Sequence, residues 1–200
     1  MRIRVYNNHL IEITRNKAAS LLVTSLWRLS YVRAKENTMS TVENQAITIA
    51  PGAGTKTWLL GDTYTLKLAG TQTAGAFALL EAVVPPGGGP PSHIHYAEDE
   101  TFVILEGEII FTTDEGTIAA STGTVVHVPK GTKHSYATVG TVPVRMLFLY
   151  VPAGMEGMFD EIGTPAQPGV AAPPSSPEDV AKLLAVAAKY NFAVVPPEAS

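Results

Sequence analysis

Four of the five histidines in this 200-residue chain, His93, His95, His127 and His134, fall within 42 residues, and Glu100 lies among them. His93 and His95 are two apart, so on an extended segment both rings project from one face. Glu100 opens the apolar run Thr101–Leu105. On that strand Glu100, Phe102 and Ile104 share a side, which sets a carboxylate at the end of an apolar stripe. His134 follows the tight Pro129-Lys130-Gly131 turn. Neutral imidazoles with one carboxylate form a borderline-hard ligand set suited to Fe, Mn, Co, Ni, Cu or Zn. The chain has no cysteine. Disulfides, thiolate metal sites, iron–sulfur clusters and a cysteine nucleophile are therefore excluded, and any metal must be held by His, Asp or Glu. Glu98 and Asp99 compete for the carboxylate position; strand phase favours Glu100, with Asp99 second and Glu98 expected in solvent. His127 is one place off in strand phase, matches no ligand spacing, and is expected to be a hydrogen-bonded core residue.

The elements that must position these groups read as short strands. Apolar or β-branched runs occur at 57–60, 64–68, 77–84, 101–112, 125–128 and 144–151. Gly61-Asp62, Ala69-Gly70, Pro85–Pro91, Asp114-Glu115-Gly116, Gly123 and Pro129-Lys130-Gly131 punctuate them with turn formers. Regular short strands without interleaved helical patterns predict an all-β sandwich or barrel. Two helices are expected beyond it. Met155, Met158, Phe159 and Ile162 have helical spacing and suit a short helix that closes an apolar cavity or caps the core. After a Pro-rich linker, Ser176 can cap a second helix with Pro177 at its first position and Glu178 and Asp179 in its first turn. Val180, Leu183, Leu184 and Ala187 form its apolar stripe, expected to pack on the outside of the sheet or on a partner subunit.

Composition sets the outer limits. The chain is 46% hydrophobic and 16% charged, with a net charge of −4, which is globular and offers no basic field for nucleic acid. No stretch approaches the roughly 20 uncharged apolar residues needed to cross a bilayer. Residues 1–38 carry seven Arg or Lys against Glu12 and Glu36, a net +5, whereas the remainder carries seven basic and sixteen acidic residues, a net −9. The first segment is Arg-rich and acid-poor, as in a transit peptide, and Met39-Ser40-Thr41 offers a second starting point. Both readings stay open. The expected organisation is a basic leader outside the fold over 1–41, a β-domain over 42–164, and linker plus C-terminal helix over 165–200.

Residues 87–107, Gly-Gly-Gly-Pro-Pro-Ser-His-Ile-His-Tyr-Ala-Glu-Asp-Glu-Thr-Phe-Val-Ile-Leu-Glu-Gly, resemble the first motif of the cupin family, G(x)5HxH(x)3–4E(x)6G. Residues 123–134, Gly-Thr-Val-Val-His-Val-Pro-Lys-Gly-Thr-Lys-His, resemble the second, G(x)5PxG(x)2H, after a gap of 15 residues. The family often places Asn three residues after that His, where this chain has Thr138. The resemblance implies a cupin-type double-stranded β-helix, a jelly-roll barrel. His93, His95, Glu100 and His134 would then be its metal ligands, holding one divalent transition metal. The order of motif pair, short helix, linker and terminal helix looks like the single-domain, quercetin dioxygenase-like cupins.

That likeness implies a metal-dependent dioxygenase acting on a flavonol-like or other enol or aromatic small molecule, with O2 as a further partner. Glu100 would be both ligand and base, and Tyr96, Phe102, Ile104, Phe148, Met155 and Phe159 would line the pocket. An O2-independent isomerase or decarboxylase and a non-catalytic small-molecule binder are the alternatives, since fold does not fix function. A homodimer is expected from the family; a cytoplasmic location, with no nucleic-acid or membrane partner, is expected as well.

Overall fold

The computed structural model describes residues 46–196. The strands are β1 (Thr55–Leu59), β2 (Asp62–Leu68), β3 (Ala78–Val84), β4 (His93–His95), β5 (Asp99–Glu106), β6 (Glu108–Thr113), β7 (Gly116–Ser121), β8 (Val125–Val128), β9 (His134–Thr138) and β10 (Val144–Val151). They are followed by α1 (Glu156–Ile162), β11 (Thr164–Pro165), α2 (Pro177–Val186) and β12 (Phe192–Val194). Two antiparallel sheets result. The larger has the order β11-β1-β2-β3-β10-β5-β8 and the smaller β12-β4-β9-β6-β7. This is the expected all-β jelly roll, with one correction: among the described residues no strand ladder joins the two sheets, so the barrel is not closed.

Period-two burial explains why the sheets stack. Along β5 and β10 every second residue is buried, which directs Glu100, Phe102 and Ile104 from one strand and Val144, Met146, Phe148 and Tyr150 from the other into the interior. Phe102 pairs with Phe148 and Glu100 with Tyr150 across that ladder. The run expected to be one strand over 101–112 is two. Gly107 has φ +86, and a Cβ there would sit 3.0 Å from the Pro143 carbonyl oxygen. A left-handed residue cannot continue a ladder, so β5 stays in the larger sheet while β6 crosses into the smaller. The β1–β2 hairpin turns on Leu60 (φ 52) and Gly61 (φ 87), the paired positive angles of a two-residue hairpin.

α1 forms where Met155, Met158 and Phe159 were expected to bury an apolar face, and all three are buried. α2 begins at Ser176 with a full capping box, in which Asp179 and Ser176 satisfy each other's backbone N–H. Its buried residues are Leu183 and Val186, whereas Leu184 is 54% exposed, so the stripe is displaced from the expected one. The chain then returns through β12, which adds to the edge of β4 with Phe192 opposite His95 and Val194 opposite His93. The tail is thus stitched to the strand that carries the His-x-His pair. The leader assigned to 1–41 lies outside the described residues.

Candidate metal centre

Three strands from two sheets bring the four candidate ligands together. β4 presents His93 and His95, β9 presents His134 directly opposite His93 in register, and β5 presents Glu100 from the other sheet. The Pro129–Gly131 turn docks on β4 through the Gly131 amide, which donates to the His95 carbonyl at 2.7 Å. That contact aims the following strand at the site. One ligand atom from each of the four residues lies within 4.8 Å of the others. His95, Glu100 and His134 are buried and His93 is half-buried.

The ring orientations are fixed from behind. His93 Nδ1 is 2.9 Å from the Pro91 carbonyl and His134 Nδ1 is 3.1 Å from the Thr132 carbonyl. A carbonyl only accepts, so both Nδ1 atoms carry the proton and both Nε2 atoms turn lone pairs inward. His134 Nε2 stands 2.7 Å and His95 Nε2 3.5 Å from Glu100 Oε2. Despite this proximity, His134 Nε2 and Glu100 Oε2 are both buried without a hydrogen bond. Buried polar atoms that face one another with lone pairs and no proton between them fit a shared cation.

Electrostatics agree. Burial alone would raise Glu100, but the surrounding His134, His95 and His93 rings draw its carboxyl down to about 2. Burial pushes His93 down to about 4 and also lowers His95, against the pull of Glu100. Burial opposes protonation of His134 too, yet the adjoining Glu100 raises it above its ordinary value. With His93 and His95 held neutral by burial, a divalent ion that displaces the proton Glu100 draws to His134 would meet three neutral rings and a single negative charge.

The neighbours fall out differently from the sequence expectation. Glu98 is buried rather than solvated, with Oε2 3.9 Å from His95 Nδ1, and burial pushes it up to about 7. Asp99 accepts from the Lys130 amide at 2.9 Å and so holds the second-motif turn. His127 is exposed, not core, and its Nδ1 is 2.9 Å from the Thr101 hydroxyl.

Above the four residues lies a cavity of roughly 50 Å³. Phe102, Phe148, Met155 and Phe159 line it, with His93, His95 and Glu100. Tyr96 does not: one residue past His95 in strand phase, it faces outward and is 58% exposed. Ile104 faces inward but lies deeper along β5, opposite Met146, in the packed core. Among the lining residues that sequence reasoning missed are Tyr64, Tyr136, Tyr150, Leu60, Leu183 and Phe192. Tyr136 was within reach, since it is two residues from His134 and shares its face. Leu183 and Phe192 carry no local signal, because only the return of the tail onto β4 brings them in.

Residues 80–150 match the family model described as a cupin domain. The chain is 33% identical over 75 residues to an uncharacterized protein of Methanocaldococcus jannaschii, covering 38% of this chain and 60% of that one. It is also 33% identical over 94 residues to quercetin 2,3-dioxygenase of Bacillus subtilis, covering 47% of this chain and 28% of that one. The match thus spans less than two thirds of either curated relative. Among solved structures, a predicted oxalate decarboxylase from Thermotoga maritima aligns with a TM-score of 0.49 at 20% identity, over 53% of this chain and 99% of that one. Both motifs lie inside the matched segment and their side chains converge, so residues 80–150 are similar to a cupin domain in sequence and in the placement of the motif residues.

Proposed function

We propose that this chain is a metal-dependent cupin enzyme, a dioxygenase acting on a compact enol or phenol. The observation that carries the reading is the convergence of His93, His95, Glu100 and His134, with partnerless buried ligand atoms, under an apolar cavity. A bound divalent transition metal would act as a Lewis acid and lower the pKa of a substrate hydroxyl placed beside it. The three imidazoles would hold it, His93 and His134 through Nε2, kept in that tautomer by the Pro91 and Thr132 carbonyls. Glu100, ionised down to about pH 2, is first a ligand. It accepts a proton only from a hydroxyl that has itself become acidic. Phe102 and Phe148, stacked on each other with ring centroids 5.9 Å apart, line the cavity and keep water away. The likeness to quercetin 2,3-dioxygenase supports oxygen chemistry. The roughly 50 Å³ cavity, against about 300–1,000 Å³ for sites that enclose drug-sized ligands, favours a substrate smaller than a fused-ring flavonol.

The test is elemental analysis of purified protein beside a His95→Ala control, followed by oxygen uptake with a panel of enols and phenols. About one transition metal per chain, lost in the control, together with O2 consumption is the expected result. Protein that is metal-free and refuses added ions would overturn the metal reading. Turnover that survives strict anaerobiosis would replace dioxygenation with Lewis-acid isomerisation or decarboxylation.

A further inference from the structure

A second group of polar side chains reaches this cavity from the side of the larger sheet. Asp62 and Tyr64 are two apart on β2 and therefore point to the same, inward face. Tyr136 comes toward them from β9 of the smaller sheet. The Tyr64 hydroxyl donates to Asp62 Oδ2 at 3.1 Å and lies 3.3 Å from the Tyr136 hydroxyl, where either can be the donor. Asp62 is fully buried, and its Oδ1 has no hydrogen-bond partner. Tyr64 and Tyr136 line the cavity; Asp62 lies behind them.

Structure alone gives little reason for this arrangement. A buried carboxyl with one partner costs free energy that an apolar residue of similar volume would not. The chain also has a direction. With Asp62 ionised, Tyr64 gives its one proton to Asp62 and Tyr136 gives its own to Tyr64, so Tyr136 presents an oxygen lone pair to the cavity. Burial, partly offset by the Tyr64 hydrogen bond, pushes Asp62 up to about 7, so near neutrality it also exists as an acid. As an acid it donates a hydrogen bond to the Tyr64 oxygen, Tyr64 then donates to Tyr136, and the Tyr136 hydroxyl is turned toward the cavity.

We propose that Asp62, Tyr64 and Tyr136 form a second anchor in this cavity, independent of the metal. The Tyr136 hydroxyl hydrogen-bonds to a carbonyl or hydroxyl oxygen of a small aromatic or enolic ligand, and Asp62 positions it through Tyr64. The ligand class is thereby narrowed to molecules with a hydroxyl or carbonyl oxygen at the Tyr136 end, set against Phe102 and Phe148. Tyr136 would touch the ligand; Asp62 is a positioning residue. This anchor shares the cavity with the proposed metal chemistry but does not depend on it, so its test uses metal-free protein.

The probes are 4-fluorophenol and 4-fluorotoluene, nearly the same shape with and without the oxygen, titrated into the full chain and followed by fluorine NMR. Tyr136→Phe should lower the phenol-to-toluene affinity ratio about fivefold, the worth of one neutral hydrogen bond, while toluene affinity holds. Asp62→Leu should produce the same loss. Asp62→Asn, whose amide can either accept from Tyr64 or donate to it as the protonated carboxyl does, should keep the wild-type ratio, which a purely volumetric role would not distinguish from Leu. If Asp62→Leu does not fold, Tyr64→Phe carries the same expectation. An unchanged ratio in Tyr136→Phe, or a wild-type chain that binds neither probe, overturns the proposal, whatever the metal analysis shows.

Discussion

Glu100 and Asp62 are both buried carboxyls, and their surroundings move them in opposite directions. Glu100 faces three imidazoles that hold it near 2 against its burial, whereas burial pushes Asp62 up to about 7, only partly offset by the Tyr64 hydroxyl. Replacing Glu100 with Gln keeps the volume but removes the only formal charge among the four ligands. Metal affinity should fall by more than the roughly 10–100-fold typical of losing a supporting partner, measured by competition with a chelator. An unchanged affinity would remove Glu100 from the ligand set. For Asp62, the folded chain binds the proton more tightly than the unfolded chain, whose carboxyl keeps its ordinary value of 3.8. Between about pH 4 and 7 the unfolded state ionises first, so this residue lowers stability progressively as pH rises, and the effect levels off above 7. Three units correspond to at most about 4 kcal/mol. Urea unfolding of wild type and Asp62→Asn at pH 5 and pH 8 isolates the effect: the wild type should lose stability relative to the variant by on the order of 2 kcal/mol or more. Parallel behaviour would mean that Asp62 titrates normally.

The loop that delivers β4 shows how elements place the site. Gly87 and Gly89 both have positive φ, at +73 and +131, yet their surroundings differ. A Cβ on Gly87 would meet open space, whereas one on Gly89 would overlap the Tyr136 carbonyl oxygen. The sequence motif singles out Gly87; the packing singles out Gly89. Gly87→Ala should cost about 1 kcal/mol, the strain of a left-handed residue. Gly89→Ala should cost on the order of 3 kcal/mol or more, because β9 must move and carries both His134 and Tyr136 with it. Thermal melts of the two variants decide between these readings, and equal losses would show that the motif's own glycine matters as much. The tail is the element that sequence reading placed least well. Capping and periodicity marked α2, including Ser176 and Pro177, because those signals are local. That β12 pairs with β4 and sets Phe192 5.9 Å from the His95 ring is a contact across 97 positions, which no local pattern encodes.

At the scale of the whole molecule, the same distinction separates what was legible from what was not. The spacing of His93, His95, Glu100 and His134 marked the centre, and alternation marked the faces of β5 and β10, because both follow from strand geometry. Alternation says which face is apolar but not which sheet covers it. Hence the break at Gly107, the open barrel and the meeting of Tyr64 with Tyr136 became visible only in three dimensions. The two sheets share no ladder among the described residues, and the ligand set straddles them: His93, His95 and His134 stand on the smaller sheet and Glu100 on the larger. A cation held by all four would therefore tie the sheets together, and its binding free energy would appear as stability of the entire fold. At a hundredfold excess over the dissociation constant that amounts to about 2.7 kcal/mol, or roughly 5–10 °C in Tm for a domain of this size. Adding the divalent ion found by elemental analysis to metal-free protein should raise a single cooperative transition by that much. His95→Ala should show no shift. Glu100→Gln should show a smaller one, since its three imidazoles all lie on one sheet and leave the other untethered. An ion that binds at one per chain yet leaves the Tm of the wild type unmoved would place it somewhere other than between the sheets.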